Sequence, residues 1–149
     1  MSNDLGENRG SEQQRGAAER IYREWDRAWA DHDLEAMIAL YAPDAVLESP
    51  LIPYMTGTKN GVLRGREQIR ALLDKAAPRR PGRRTFHRPG YFTNGSLLVW
   101  EYPRETPEGE QMDFMEVMEI QNGLIQKHRV YWGWHGVEVI KADKYYKET

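Results

Sequence analysis

The chain has 149 residues, a formal charge of −2 and 40% hydrophobic residues, with five Trp and eight Tyr among them. That is enough apolar material for one well-filled core and too little length for two ordinary domains, and the small charge gives no reason to expect nucleic acid or an anionic membrane as partner. Cysteine is absent, which excludes disulfides and thiol catalysis, and with no bilayer-length apolar run and no signal-peptide pattern at the start, cytoplasmic residence is expected.

Residues 1–11 are rich in Asn, Gly, Ser and charge and read as a disordered lead to a single domain over 12–149. Between Glu12 and Ala30, the residues Ala18, Ile21, Tyr22, Trp25, Ala28 and Trp29 recur at three- and four-residue spacing, which predicts an amphipathic helix with an aromatic inner face. Asp33 can cap a second helix burying Leu34, Met37, Ile38 and Tyr41, and Pro43 ends it. A brief strand is expected over 45–49. The segment 51–64, interrupted by Pro and Gly and carrying Ile52, Tyr54 and Met55, reads as a loop and a candidate lid. A third helix over 65–77 buries Ile69, Leu72, Leu73 and Ala76 and stops at Pro78.

The rest reads as sheet. Arg79, Arg80, Arg83, Arg84 and Arg88 crowd a Pro-Gly turn, which suits either a phosphate or acidic partner or a solvated, self-repelling turn. Hairpin signals at Thr93-Asn94-Gly95, Pro107-Glu108-Gly109 and Gln121-Asn122-Gly123 divide the remainder into a four-stranded antiparallel meander, with a short terminal helix or tail beyond Gly136.

Chemistry concentrates in the last two strands. Met112, Phe114, Met118 and Ile120 share one face with Glu116. A two-residue turn at Asn122-Gly123 would set Glu116 opposite Arg129. A three-residue turn with Gly123 in a left-handed bulge would set it opposite His128 and gather Leu124, Val130, Trp132 and Trp134 on the same face. Because a one-residue slip scatters that apolar set, the bulged turn is preferred. A similar choice governs Glu101: one turn at Pro107-Glu108-Gly109 puts Trp100 beside Glu116, the other puts Glu101 there. A bulged turn at Thr93-Asn94-Gly95 would set His87 opposite Glu101.

The order helix, helix, strand, helix and then four strands gives an α+β fold, with helices collected on one side of a strongly bent sheet. Asp33-Leu34 through Tyr41-Ala42-Pro43-Asp44-Ala45 to Glu48-Ser49-Pro50, then Arg64-Gly65-Arg66, and finally Asn122-Gly123 to His128-Arg129-Val130-Tyr131-Trp132 resemble the SnoaL-like branch of the nuclear transport factor 2 superfamily. Its relatives include ketosteroid isomerase, limonene epoxide hydrolase and polyketide cyclases. The resemblance implies a cone-shaped fold of three N-terminal helices on a curved, mainly antiparallel sheet that encloses a pocket; no cofactor is expected, and no metal, because the two His and two Glu lie on different strands without local ligand spacing such as HExxH. It also favours Glu101 inside.

Carried over residue by residue, the isomerase base matches Ser49, its oxyanion Tyr matches Trp25 and its protonated Asp matches Glu116, so the isomerase base is missing. The water-holding pair of the epoxide hydrolase becomes Leu47 and Ser49, and its Asp-Arg-Asp group becomes Glu101, Val99 and Val130. What remains is Glu116, His128 and Glu101 as candidate acid–base residues. Burial would disfavour the charged form of Glu116 and a nearby imidazolium would favour it, opposed effects that suit proton transfer.

Trp25, Tyr22, Ser49, Tyr54, Met55, His87, Phe114, Met118, Val130, Trp132 and Trp134 are the candidate pocket lining for a hydrophobic, cyclic or aromatic small molecule. Two readings stand side by side: an acid–base enzyme performing isomerisation, cyclisation, dehydration or water addition, and a non-catalytic ligand-binding or dimerisation module in which the Glu–His pair merely satisfies itself. A homodimer is expected in either case, through Trp100, Tyr102 and Met115 on the outer sheet face under the register that keeps Glu101 inside.

Overall fold

A computed structural model describes residues 11–77, 90–102, 104–105, 109 and 111–142. The expected lead, the basic Arg79–Arg88 turn with His87, the Pro107-Glu108 corner and the side chain of Trp134 lie outside the described residues. Helix α1 (Glu12–Ala30) opens on Ser11, whose hydroxyl accepts from the Gln14 N–H while the Gln14 side chain accepts from the Ser11 N–H. This reciprocal cap satisfies two amides that the first turn leaves bare. Ala18, Ile21, Trp25 and Ala28 form its buried stripe, as the spacing predicts. At the far end His32 turns the chain through a left-handed conformation, and the Asp33 carboxylate accepts from Ala36 N at 3.0 Å to start α2 (Leu34–Ala39).

Strand β1 (Tyr41–Glu48) begins earlier than expected, and it contains Pro43. Its partner explains both. β1 runs parallel to β8 (Leu124–Trp132), with Tyr41 beside Ile125 and Val46 beside Lys127, so five steps on β1 span two on β8 and the surplus bulges out around Pro43, where no N–H is needed. Tyr41 is therefore a buried strand residue rather than part of the second helix.

The expected loop at 51–64 is largely regular. Helix α3 (Leu51–Thr56) places Pro53 in its first turn and ends at Gly57 with φ 70°, and β2 (Val62–Arg64) pairs antiparallel with β1. Tyr54 and Met55 pack on the core from α3, so this segment is built into the fold instead of hanging over it. Helix α4 (Arg66–Ala76) buries the four predicted residues.

β3 (Phe92–Thr93), β4 (Leu97–Glu101), β7 (Phe114–Gln121) and β8 continue the sheet, whose strand order is β2-β1-β8-β7-β4-β3. A short ribbon of β5 (Arg104–Glu105) and β6 (Gln111–Met112) extends the β4–β7 hairpin. The expected four-stranded antiparallel meander is present as β3-β4-β7-β8, and β1 joins it through one parallel pair with β8, so the sheet is mainly antiparallel. Phe92 pairs with Val99, not with Ser96 as the bulged Thr93-Asn94-Gly95 turn would have it. Helix α1 lies over β4, and α2 and α4 lie over β1, so the core sits between one layer of helices and the inner face of the sheet. Helix α5 (Trp134–Lys141) follows β8 and packs on it.

Candidate functional site

Two irregularities decide which side chains of β7 and β8 meet. Asn122 and Gly123 both have positive φ, 51° and 75°, and Gln121 pairs with Leu124, so the turn is the two-residue type I′ form. Alone it would oppose Glu116 to Arg129. One step further, Ile120 pairs with Ile125 but Glu119 pairs with Lys127, which leaves Gln126 as an extra residue on β8. This bulge moves Val130 opposite Glu116 and His128 opposite Met118. The expected three-residue turn is therefore corrected to a two-residue turn plus a separate bulge. The two slips differ by two residues, which is why the expected face survives: Glu116, Phe114, Met118, His128, Val130 and Trp132 still point inward together. Leu124 is replaced in the core by Ile125. The Gln126 amide donates to the Asp44 carboxylate at 3.0 Å, tying the β8 bulge to the one in β1.

On that face Glu116 and His128 are diagonal neighbours, and His128 Nε2 lies 2.5 Å from Glu116 Oε2. The Tyr102 hydroxyl donates to the other oxygen, Oε1. His128 Nδ1 is 2.8 Å from the Tyr41 hydroxyl, to which Trp25 adds a further hydrogen bond. Tyr41, Tyr102, Glu116 and His128 are 1%, 4%, 2% and 3% exposed, so the chain of polar groups is shut away from bulk water.

The proton inventory follows from donor chemistry. A carboxylate can only accept, so the His128 nitrogen that faces Glu116 carries a proton, and on a neutral imidazole this leaves Nδ1 bare to accept from the Tyr41 O–H. Nδ1 then acts as acceptor, Nε2 carries the proton and donates it to Glu116, and the carboxylate accepts at both oxygens. Burial, and then the Glu116 charge, hold the Tyr41 phenol well above its ordinary range, partly opposed by the Trp25 hydrogen bond.

Aromatic rings wall the network. His128 and Trp100 each stand edge-on to Trp25, at centroid distances of 6.3 and 5.4 Å. Tyr102 stacks on Phe114 at 5.4 Å, and Phe114 meets Trp132 edge-on at 5.4 Å. Trp132 Nε1 is buried with no hydrogen-bond partner.

The remaining candidates distribute as follows. Met118 is fully buried beside His128, and Val130 is half-buried opposite Glu116. Tyr22 joins Tyr91 and Trp100, and its hydroxyl accepts from Gly90 N. Ser49 is buried, but its hydroxyl accepts from Leu51 N at 3.2 Å and so serves the start of α3. Glu101 is corrected: Trp100 stands opposite Glu116, while Glu101 is exposed opposite Met115. The same register turns Trp100 and Tyr102 inward, so they form no outer face; Phe92, Leu97, Met115 and Tyr131 are the exposed large apolar residues among those described.

Tyr41 and Tyr102 are the members of this network that sequence reasoning did not place in the site. The second had a signal, since Leu98, Trp100 and Tyr102 make a more apolar row than Leu97, Val99 and Glu101. Among the described residues no three of His, Cys, Asp or Glu gather as a metal site, and no helix is long and apolar enough to cross a membrane.

The family description "SnoaL-like domain" matches residues 22–128, more than half of the chain. Among solved structures, a SnoaL-like protein of unknown function from Burkholderia thailandensis is 26% identical with a TM-score of 0.66, over 79% of this chain and 95% of that one. A putative isomerase from Bacillus subtilis has the same fold at 19% identity and a TM-score of 0.66, over 90% and 99% of the two chains. So does TerC, co-crystallised with polyporic acid, at 14% identity and a TM-score of 0.66, over 85% and 98%. No curated protein matches the chain significantly.

Proposed function

The chain belongs to the family of SnoaL-like domains, and we propose that it is a cofactor-independent enzyme that moves protons on a hydrophobic ring compound. The observation that carries this reading is the continuous chain Tyr102–Glu116–His128–Tyr41, set among aromatic rings and closed to water. A carboxylate with an imidazole beside it is a common pairing of side chains for general acid–base catalysis. Glu116 is the base, and His128 steadies it in the tautomer that Tyr41 imposes. Tyr102 lies between the carboxylate and the Phe114–Trp132 rings, so a substrate seated on those rings meets the phenol first. Isomerisation, cyclisation and dehydration all share the proton abstraction this set performs. That a neighbour of the same fold was crystallised with polyporic acid agrees with a small-molecule site.

The test is solvent deuterium exchange at carbons next to a carbonyl, followed by NMR over a panel of ring ketones in D₂O. Wild type should exchange at least one member, and a folded Glu116→Gln variant should be slower by about 10²-fold or more. Equal rates in the two proteins would defeat the reading.

A second reading has one observation in its favour: all four polar groups are already satisfied by one another. A binding or assembly module would hold ring compounds without ever exchanging their protons, and Glu116→Gln would then alter only affinity or stability.

A further inference from the structure

Tyr41 supplies the hydroxyl at one end of the buried network, yet the sheet fixes its backbone sparingly. Its ladder partner on β8 is Ile125, and pairing resumes at Val46, beyond the Pro43 bulge. The Ile125 N–H donates to the Leu40 carbonyl, so on the alternating backbone of a strand the Tyr41 carbonyl points away from β8, toward the side where β2 lies. There β2 ends with Arg64 opposite Val46 and does not reach Tyr41. A carbonyl buried in such a gap needs a donor from elsewhere. It comes from Arg66, whose Nε donates to the Tyr41 oxygen at 2.9 Å and whose Nη2 donates to the same atom. The turn that delivers Arg66 is itself seated on β1: Gly65, with φ 87°, donates its N–H to the Ala45 carbonyl at 2.8 Å. Arg66 is an unexpected residue for its place. It opens α4, at the end of the helix dipole that disfavours a cation, it is half-buried, and among the described residues its side chain bonds to that one oxygen.

We infer that Arg66 is a positioning residue of the proton network: its clamp on the Tyr41 carbonyl holds the phenol against His128 Nδ1, and so keeps the imidazole in the tautomer whose Nε2–H faces Glu116. The clamped carbonyl and the phenol belong to one residue, so a shift of the backbone carries the O–H with it. That contact is 2.8 Å long, and a retreat of roughly 0.8 Å takes it to a length at which no hydrogen bond remains. Arg66 bonds to neither His128 nor Glu116 and acts through Tyr41. Lysine is a poor substitute, because a guanidinium offers its donors in a fixed fork and an ammonium is a mobile point charge. The consequence for catalysis rests on the proton-transfer reading above; the consequence for His128 does not.

The experiment records imidazole ¹⁵N spectra of Arg66→Met and Arg66→Lys beside wild type, with urea denaturation to establish that each variant is folded. In Arg66→Met the His128 Nδ1 resonance should move downfield, as an acceptor nitrogen does when it loses its donor, and in Arg66→Lys it should move part of the way. The same substitutions in a Tyr41→Phe background should leave the His128 spectrum where Tyr41→Phe alone puts it, because the donor is already gone. A residue that served only the fold would lower stability and leave Nδ1 unmoved, or move it equally in both backgrounds; either result overturns the inference. If Arg66→Met does not fold, the Arg66→Lys spectra in the two backgrounds decide by the same criteria. Deuterium exchange on the ring-ketone panel is followed in the same proteins, and Arg66→Met should slow it by about tenfold or more. Exchange at the wild-type rate in a variant whose His128 has moved would overturn the catalytic part of the inference. A moved His128 with no exchange even in wild type would support the positioning role and defeat the proton-transfer reading instead.

Discussion

Removing the Tyr102 hydroxyl is the sharpest perturbation of the buried network. In Tyr102→Phe the ring keeps its stack on Phe114 at 5.4 Å, so little apolar packing is lost. What disappears is the donor to Glu116 Oε1, in a place where Tyr102 is 4% and Glu116 2% exposed. The gap left is about one oxygen atom in size, too small for a water that could replace the bond. A hydrogen bond to a charged group contributes roughly 1.5–3 kcal/mol, and a carboxylate oxygen left bare keeps its full desolvation cost. We expect a loss of about 2 kcal/mol, or a fall in Tm of about 4–8 °C for a chain of this size. Urea denaturation at constant m value measures it. The same substitution made in a Glu116→Gln background should cost at least about 1 kcal/mol less, because the acceptor there is neutral. A change below about 0.5 kcal/mol in wild type, or equal costs in both backgrounds, would mean that Tyr102 does not hold the carboxylate.

Tyr41, with its phenol held above the ordinary range, should resist ionisation while the fold stands. The unfolded chain releases that proton above about pH 10 and the native one does not, so stability should fall as pH rises past that point. Ultraviolet titration of wild type against Tyr41→Phe should then show the Tyr41 phenol ionising only as the protein unfolds. At the outer surface, the Arg129 guanidinium holds the Glu119 carboxyl below its usual range. The stabilisation this lends is present at neutral pH and is lost as pH falls below about 4, so the stability gap between wild type and Glu119→Gln should close there. The pair is partly exposed, so the gap should be small and shrink with salt. We further expect a homodimer through the exposed Phe92, Met115 and Tyr131, which sedimentation would detect and Met115→Glu with Tyr131→Glu would dissociate; a wild-type monomer at micromolar concentration would contradict this.

Local signals were legible in the sequence wherever the cause was local. The stripe Ala18, Ile21, Trp25 and Ala28, the Asp33 cap and the four buried residues of α4 follow from helical spacing and capping chemistry alone. β1 was misjudged because its early start depends on a parallel partner some eighty residues away, which no local pattern announces. Pro43 reads as a terminator until the bulge that accommodates it is seen. On β8 the turn type was misread and the Gln126 bulge missed, two errors that leave the same face inward, so Glu116 and His128 were brought together for a partly mistaken reason. Glu101 shows the opposite case. Resemblance pointed it inward, whereas the apolar row Leu98, Trp100 and Tyr102, visible in the sequence, pointed it out. The role of Tyr41 depends on both bulges and was beyond reach of any single strand.

The tautomer of His128 tests the network most directly, because every role assigned to Glu116 passes through it. Imidazole ¹⁵N spectra, with the four histidines distinguished by loss of one set in His128→Gln, report which ring nitrogen carries the proton. The network described here predicts a protonated Nε2 facing Glu116 and a bare, hydrogen-bonded Nδ1 facing Tyr41 in the ligand-free protein. A proton on Nδ1 with Nε2 bare would reverse the chain of donors and leave Glu116 without the partner on which its role as base depends.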